Sequence, residues 1–249
     1  SCPSAKVNTK PILTHLLEAE PPTLYSSHDP AAPTTEASMM TSLTNLADRE
    51  LVGVIDWAKR IPGYSNLSLN DQVHLLQCCW MELLILGLVW RSMDHKGRLI
   101  FAPDLVLDRK QSRCVAGMIE MCDQILGIAN RFRELELQKE EYVCLKAIAL
   151  VNSSTFTRCS TAIKGLENMH RVEKLQDMIT DALSKTTTKS HGEGPQESRR
   201  LAQLLMLLAH IRHVSTRGIE HLYSMKSEGQ VPLYDLLLEM LDAQAPNGG

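Results

Sequence analysis

Along most of the chain apolar side chains return every three to four positions, the spacing of one face of an α-helix. Between Ser38 and Arg60 the stripe runs Met40, Leu43, Leu46, Ala47, Leu51, Val54, Ile55, Ala58, and Pro62-Gly63 stops it. Ser68 followed by Asp71 reads as a capping box that opens a second helix running to about Ser92. The middle of that helix is apolar nearly all round, which places it at the centre of the domain. Further helices are predicted at about Gln111–Arg131, Gln138–Asn152, Ser160–Ser184 and Ser198–Met225. After a link at Ser227–Gln230, one short amphipathic segment remains at Leu233–Leu241.

Three stretches break the helical rhythm. Residues 1–37 hold six of the 11 prolines and few periodic apolar positions, so they read as a tail with one short helix near Ile12–Glu18. Residues 38–249 then form the body of a single domain. Leu99-Ile100-Phe101 and Leu105-Val106-Leu107 flank Ala102-Pro103 as the strands of a small hairpin. Lys185–Glu197, with its run Thr186-Thr187-Thr188, Gly192, Gly194 and Pro195, reads as a flexible loop.

Composition supports an all-α fold. The 249 residues include 37 Leu and 11 Met but only 3 Trp, 5 Tyr and 3 Phe, a helix-favouring balance. With 26 basic and 29 acidic residues the net charge is −3, which argues against direct binding to a phosphate backbone. The seven cysteines are odd in number, form no Cys-x-x-Cys, and all but Cys2 fall inside predicted helices. They read as free thiols of a reducing compartment. No secretory signal is visible. The most apolar run, Leu83–Trp90, is far shorter than the ~20 residues of a membrane span, so a soluble intracellular protein is expected. No repeat of 20–50 residues suggests a solenoid.

Catalytic signatures are missing. The sequence holds no phosphate-binding glycine loop, no nucleophile elbow, no His-Glu-x-x-His and no Asp-Asp-x-x-Asp. His210 and His213 share a helix face, but no carboxylate or cysteine is placed with them, so no metal site is expected.

Three polar residues nevertheless stand where apolar ones belong. Glu50 continues the stripe Leu43, Leu46, Ala47; Arg91 lies on the face of Leu84 and Leu88; His221 falls among Gly218, Leu222 and Met225. Each has a plain explanation: a solvated Glu50, an Arg91 answering a helix C-terminus, a His221 bonded to a backbone carbonyl. Together they suggest a carboxylate–guanidinium pair inside an apolar cavity with a neutral imidazole at the far end. Such a cavity suits a rigid apolar ligand with a polar group at each end.

Four segments carry a resemblance. They are Leu46-Ala47-Asp48-Arg49-Glu50-Leu51, Asp71-Gln72-Val73-His74-Leu75-Leu76, Gly87-Leu88-Val89-Trp90-Arg91-Ser92 and Pro232 through Leu241. From about Leu13 to Ala243 the chain resembles the ligand-binding domains of nuclear receptors, in the oestrogen-receptor branch of the steroid receptors. The resemblance implies a three-layer antiparallel helical sandwich with one small β-hairpin, a lipophilic cavity and no catalysis. By it, Glu50 and Arg91 bind the phenolic hydroxyl of an oestrogen, with a water, and His221 binds the distal hydroxyl; 17β-oestradiol is the implied ligand. A 3-keto steroid has no proton for Glu50, which is a basis for discrimination. The implied apolar cavity positions are Met40, Leu43, Leu46, Ala47, Met81, Leu84, Ile85, Leu88, Phe101, Met118, Met121, Ile125, Leu222, Met225 and Leu237, for each of which ordinary core is the other reading.

The same resemblance makes the segment at about 233–243 a movable activation helix with Leu236, Leu237, Met240 and Leu241 on its apolar face. Docked, it forms a groove with Ile55, Lys59, Leu69, Gln72, Val73 and Leu76. Lys59 and Glu239 clamp the two ends of a Leu-x-x-Leu-Leu coactivator helix. Leu237–Leu241 is itself similar to that motif and could occupy the groove when displaced. The helix at about 201–213, with Leu201, Leu204, Leu205, Leu208 and Ile211, resembles a homodimerisation surface; packing on its own domain is the alternative. The implied setting is nuclear, with no metal, no cofactor beyond the steroid, no membrane partner, and DNA reached only through a module absent from this chain. Ile85, Met121 and Ile125 depart from the apolar side chains usual in such cavities, and Gln77 stands where an acidic residue is usual. Two other readings stay open: a constitutively active receptor domain whose own side chains fill the cavity, and a helical scaffold that binds neither steroid nor coactivator.

Overall fold

The computed structural model describes residues 11–26, 31, 35–112, 117–152, 166–191, 194–229 and 233–244. Cys2, Cys114, Cys159, the start of the helix expected from Ser160 and Gln230 at the end of the expected link lie outside them. Helices α1 (Ile12–Glu18) and α2 (Glu36–Arg60) come first, then a 3-10 turn at Tyr64–Asn66 and the core helix α3 (Leu69–Ser92). Strands β1 (Arg98–Ala102) and β2 (Leu105–Asp108) follow, then α4 (Arg109–Ser112), α5 (Ile119–Glu134) and α6 (Lys139–Val151). The chain continues through α7 (Met169–His191), α8 (Pro195–Glu228) and α9 (Asp235–Asp242).

Helices α3, α6 and α7 form the middle of three layers. Helices α1 and α2 cover one side, α5 and α8 the other, and α9 bridges α2 and α8 at one end. The near-continuous apolar composition of α3 and α6 follows from this position: α6 is buried from Glu141 to Val151 without interruption. By length and composition α3 could cross a membrane, a stretch longer than Leu83–Trp90 alone suggested. In this fold it packs on α2, α5, α6, α8 and β1 instead.

Helix ends are set by identifiable side chains. Thr35 and Ser38 exchange reciprocal bonds at the start of α2 (Ser38 N to Thr35 Oγ1, 3.1 Å; Thr35 N to Ser38 Oγ, 2.9 Å). Ser68 Oγ accepts from Asp71 N at 3.1 Å, but the other half of the expected capping box is absent. The fully buried Asp71 carboxylate takes the backbone N–H groups of Glu167 (2.7 Å) and Asn168 (3.2 Å), tying α3 to the segment that enters α7. Pro195 at the first position of α8 and Gly229, left-handed at φ +63°, mark its two ends.

The stretch from Lys185 does not form the expected loop. Helix α7 continues to His191, and only Gly194 is described before Pro195 starts α8. The polar threonines are accommodated in the helix with their hydroxyls bonded one turn back, Thr186 to Ala182 O (2.8 Å) and Thr187 to Leu183 O (3.1 Å). Thr188 and Ser184 both donate to Glu197 Oε1, at 2.6 and 3.1 Å, which pins the end of α7 to the first turn of α8. The helix expected at Gln111–Arg131 is likewise divided, into α4 and α5.

Candidate ligand-binding site

Glu50 projects from the middle of α2 and Arg91 from the last turn of α3. Arg91 Nη2 lies 3.0 Å from Glu50 Oε1, with 30% and 17% of the two side chains exposed. Arg91 Nε donates to Ile100 O in the hairpin at 3.0 Å, and Ile100 N donates to Ser92 Oγ at 2.8 Å. Two helices and a strand therefore hold one guanidinium. Burial pushes the Glu50 carboxyl upward; Arg91 foremost, then Arg49 and Lys146, pull it back. A solvated Glu50 and an Arg91 serving only the helix terminus are both replaced by this pair.

The hairpin pairs Leu99 with Leu107 and Ile100 with Val106, then slips by one residue before Ala102 pairs with Leu105. Phe101 is the extra residue of that bulge, and its ring joins the cavity wall.

His221 comes from α8. Its Nε2 is buried and has no hydrogen-bond partner among the described residues, so a backbone carbonyl does not satisfy it. Burial lowers its pKa, partly offset by Glu228 and Glu36, and favours a neutral ring. Gly117, at φ +74°, lies against the ring: a Cβ there would stand 2.8 Å from His221 Cε1. Only glycine combines that backbone angle with that approach.

An open space of about 130 Å³ lies between these ends. The structure gathers around it Met40, Leu43, Leu46, Ala47, Glu50, Met81, Leu84, Ile85, Leu88, Arg91, Phe101, Met118, Met121, Ile125, His221, Leu222 and Leu237. Met225 is not among the side chains around it; it is buried in the core, one turn beyond His221 along α8. Thr44, Trp80 and Gly218 also line the space and were not among the implied positions. Trp80 and Thr44 lie one helical turn from Leu84 and Met40, so continuing the two stripes would have reached them. The Thr44 hydroxyl is spent on Met40 O at 2.9 Å, whereas the buried Trp80 Nε1 has no partner among the described residues. Four of the walls are methionines, whose flexible thioethers adapt to a ligand's shape.

Helix α9 closes the end of the cavity. Leu237, Met240 and Leu241 are buried, and Leu237 N donates to Asp48 Oδ1 at 2.9 Å, so a side chain of α2 serves the N-terminus of α9. The Tyr223 hydroxyl donates to Leu241 O, Lys226 pairs with Asp242, and the Gln244 amide donates to Gln77 O. Gln77 thus meets the terminal segment through its backbone rather than through a charge.

The sequence matches a family described as the ligand-binding domain of nuclear hormone receptor over residues 29–228. Over 241 residues, 97% of the chain, it is 56% identical to the oestrogen receptor of Taeniopygia guttata and 54% identical to that of Mus musculus. It is 54% identical over 240 residues, 96% of the chain, to oestrogen receptor beta of Anguilla japonica. The chain belongs to the nuclear hormone receptor ligand-binding domain family. It spans about two fifths of the length of these relatives, 41%, 40% and 42% respectively.

In this receptor domain the residues implied for a coactivator groove lie at the meeting of α2, α3 and α9. Leu69 is 75% exposed and Val73 42%, a high value for apolar side chains, while Leu76 is buried and Ile55 half-buried. Lys59 and Glu239 are exposed and form no ion pair among the described residues. Gln72 is engaged: its Nε2 donates to Leu67 O at 2.9 Å. The stripe at 201–213 is divided. Leu204 and Ile211 are buried in the domain's own core, Leu201 and Leu208 are half-buried, and Leu205 is 40% exposed beside the 69% exposed Met206. Among the described residues no group of three His, Cys, Asp or Glu side chains converges to hold a metal.

Proposed function

We propose that this domain is the hormone-sensing part of an oestrogen-responsive transcription factor acting in the nucleus. The observation that carries the proposal is an apolar cavity with the open Glu50–Arg91 pair at one end and the unpartnered His221 Nε2 at the other. A phenolic hydroxyl donates to Glu50 while accepting from Arg91, and a distal hydroxyl donates to a neutral His221. This chemistry fits 17β-oestradiol and leaves a 3-keto steroid unable to serve Glu50. The oestrogen receptors named above support the same ligand class.

Ligand occupancy stabilises α9 over the cavity through Leu237, completing the groove of Ile55, Leu69, Val73 and Leu76. Lys59 and Glu239 then hold the C- and N-terminal ends of a Leu-x-x-Leu-Leu coactivator helix. Leu201, Leu205, Leu208 and Met206 supply a self-complementary patch for a homodimer.

The test is binding of a labelled Leu-x-x-Leu-Leu peptide, followed by fluorescence anisotropy with and without 17β-oestradiol. Peptide affinity rises with the steroid in the proposed receptor. Equal capture in both conditions would contradict it and leave a constitutive domain.

A further inference from the structure

A second cavity, of about 540 Å³, abuts the first and shares Glu50, Leu84, Arg91 and Phe101 with it. Its other walls are the strap at 19–24, one face of α2, the Trp90 end of α3, and Tyr142 and Lys146 of α6. Five basic and three acidic side chains line it. Two of the acids are engaged, Glu50 with Arg91 at 3.0 Å and Glu20 with Lys146 at 2.9 Å, which leaves the space electropositive. Lys146 Nζ sits 4.5 Å from the centre of the Trp57 ring, and Trp90 stacks on Tyr142 at 4.4 Å, so the charged space has flat aromatic sides.

Two donors of this wall are buried without a partner among the described residues: Arg49 Nη2 and Trp57 Nε1. Trp57 is 1% exposed. A buried donor is costly unless an acceptor meets it. The two residues lie eight positions apart on α2, about 12 Å along its axis.

We propose that this second cavity binds an elongated organic anion with a flat apolar body. Its carboxylate or sulfate meets Arg49, its body lies along Gly53 and Trp90, and an acceptor oxygen at its other end meets Trp57. The site does not depend on the steroid reading of the first cavity.

The test uses 4′-methoxybiphenyl-4-carboxylate and its neutral methyl ester, titrated by calorimetry and tryptophan fluorescence with and without saturating 17β-oestradiol. The expected result is one-to-one binding of the acid in both conditions, with the ester about tenfold weaker. Arg49→Gln and Trp57→Phe each weaken the acid by about tenfold, with circular dichroism and the thermal midpoint reporting that the variants fold. Trp57→Phe keeps a ring beneath Lys146 and removes the donor together with part of the indole's volume; should it unfold, Arg49→Gln decides. No saturable binding up to about 1 mM would overturn the proposal and leave a cavity filled by water. Displacement by the steroid, or indifference to both variants, would overturn it by placing the probe elsewhere. Failure of the steroid itself to bind would remove the hormone reading and leave this titration interpretable.

Discussion

Arg200 meets Glu141 through two parallel bonds, Nε to Oε1 at 2.6 Å and Nη2 to Oε2 at 2.7 Å, whereas Arg91 meets Glu50 through one contact of 3.0 Å. The first pair is closed on every side. Arg200 Nη1 donates to Leu135 O at 2.8 Å, Glu141 Oε2 also accepts from Gln138 N at 3.0 Å, and the two side chains are 9% and 0% exposed. The second pair has no such bidentate hydrogen bonding among the described residues, and its side chains are 17% and 30% exposed beside a cavity. A bidentate, saturated pair spends its bonding capacity on the fold, here joining α6 to α8. A pair that is not saturated, and that faces a cavity, has capacity for a ligand. The same residue types thus do different work according to how completely the protein satisfies them.

Glu141→Ala attacks the closed pair and should have the largest effect. It strands Arg200 in the interior and should cost about 3–5 kcal/mol of unfolding free energy, read from denaturant titration. Glu50→Gln should change stability by no more than about 1 kcal/mol, because Arg91 keeps Ile100 O and a partly desolvated carboxylate is removed. Its affinity for 17β-oestradiol should instead fall by about 10- to 100-fold. If Glu50→Gln destabilised the fold as much as Glu141→Ala, the two pairs would be doing the same work. Asp48→Ala removes the acceptor at the start of α9 and should cost about 0.5–2 kcal/mol, confined to that helix. Peptide capture should weaken by several fold while steroid affinity moves little.

The smallest effect concerns pH. The folded-state pKa of His221 lies below its ordinary value of 6.5 because burial disfavours the cation. Its contribution to stability is therefore present above pH 6.5 and lost as the pH falls through the lowered folded value. In His221→Gln the unfolding free energy should lose that part of its acid dependence. An unchanged pH profile would show that the ring is not held neutral by the fold.

The three polar residues of the first cavity were legible because each interrupts an apolar stripe. Glu141 and Arg200 were not, since Gln138-Lys139-Glu140-Glu141 and Arg199-Arg200 read as ordinary solvated helix starts. Their partnership spans 59 positions and exists only once α6 and α8 pack. Helix existence followed from periodicity, as α2 and α6 illustrate, ending within two residues of expectation. The threonine run near Lys185 misled because composition is blind to a hydroxyl bonding back to its own helix. Met225 overshot the cavity for a related reason: a shared helix face places a side chain around the axis but does not fix where along it the cavity stops.

Competitive equilibrium binding of 17β-oestradiol and testosterone to the purified domain, in parallel with Glu50→Gln, tests the central claim most directly. A saturated fold with an open polar pair predicts tight, oestradiol-selective binding whose selectivity falls sharply in Glu50→Gln. Equal affinity for the two steroids, or selectivity that survives Glu50→Gln, would contradict the claim that this open pair reads the phenol.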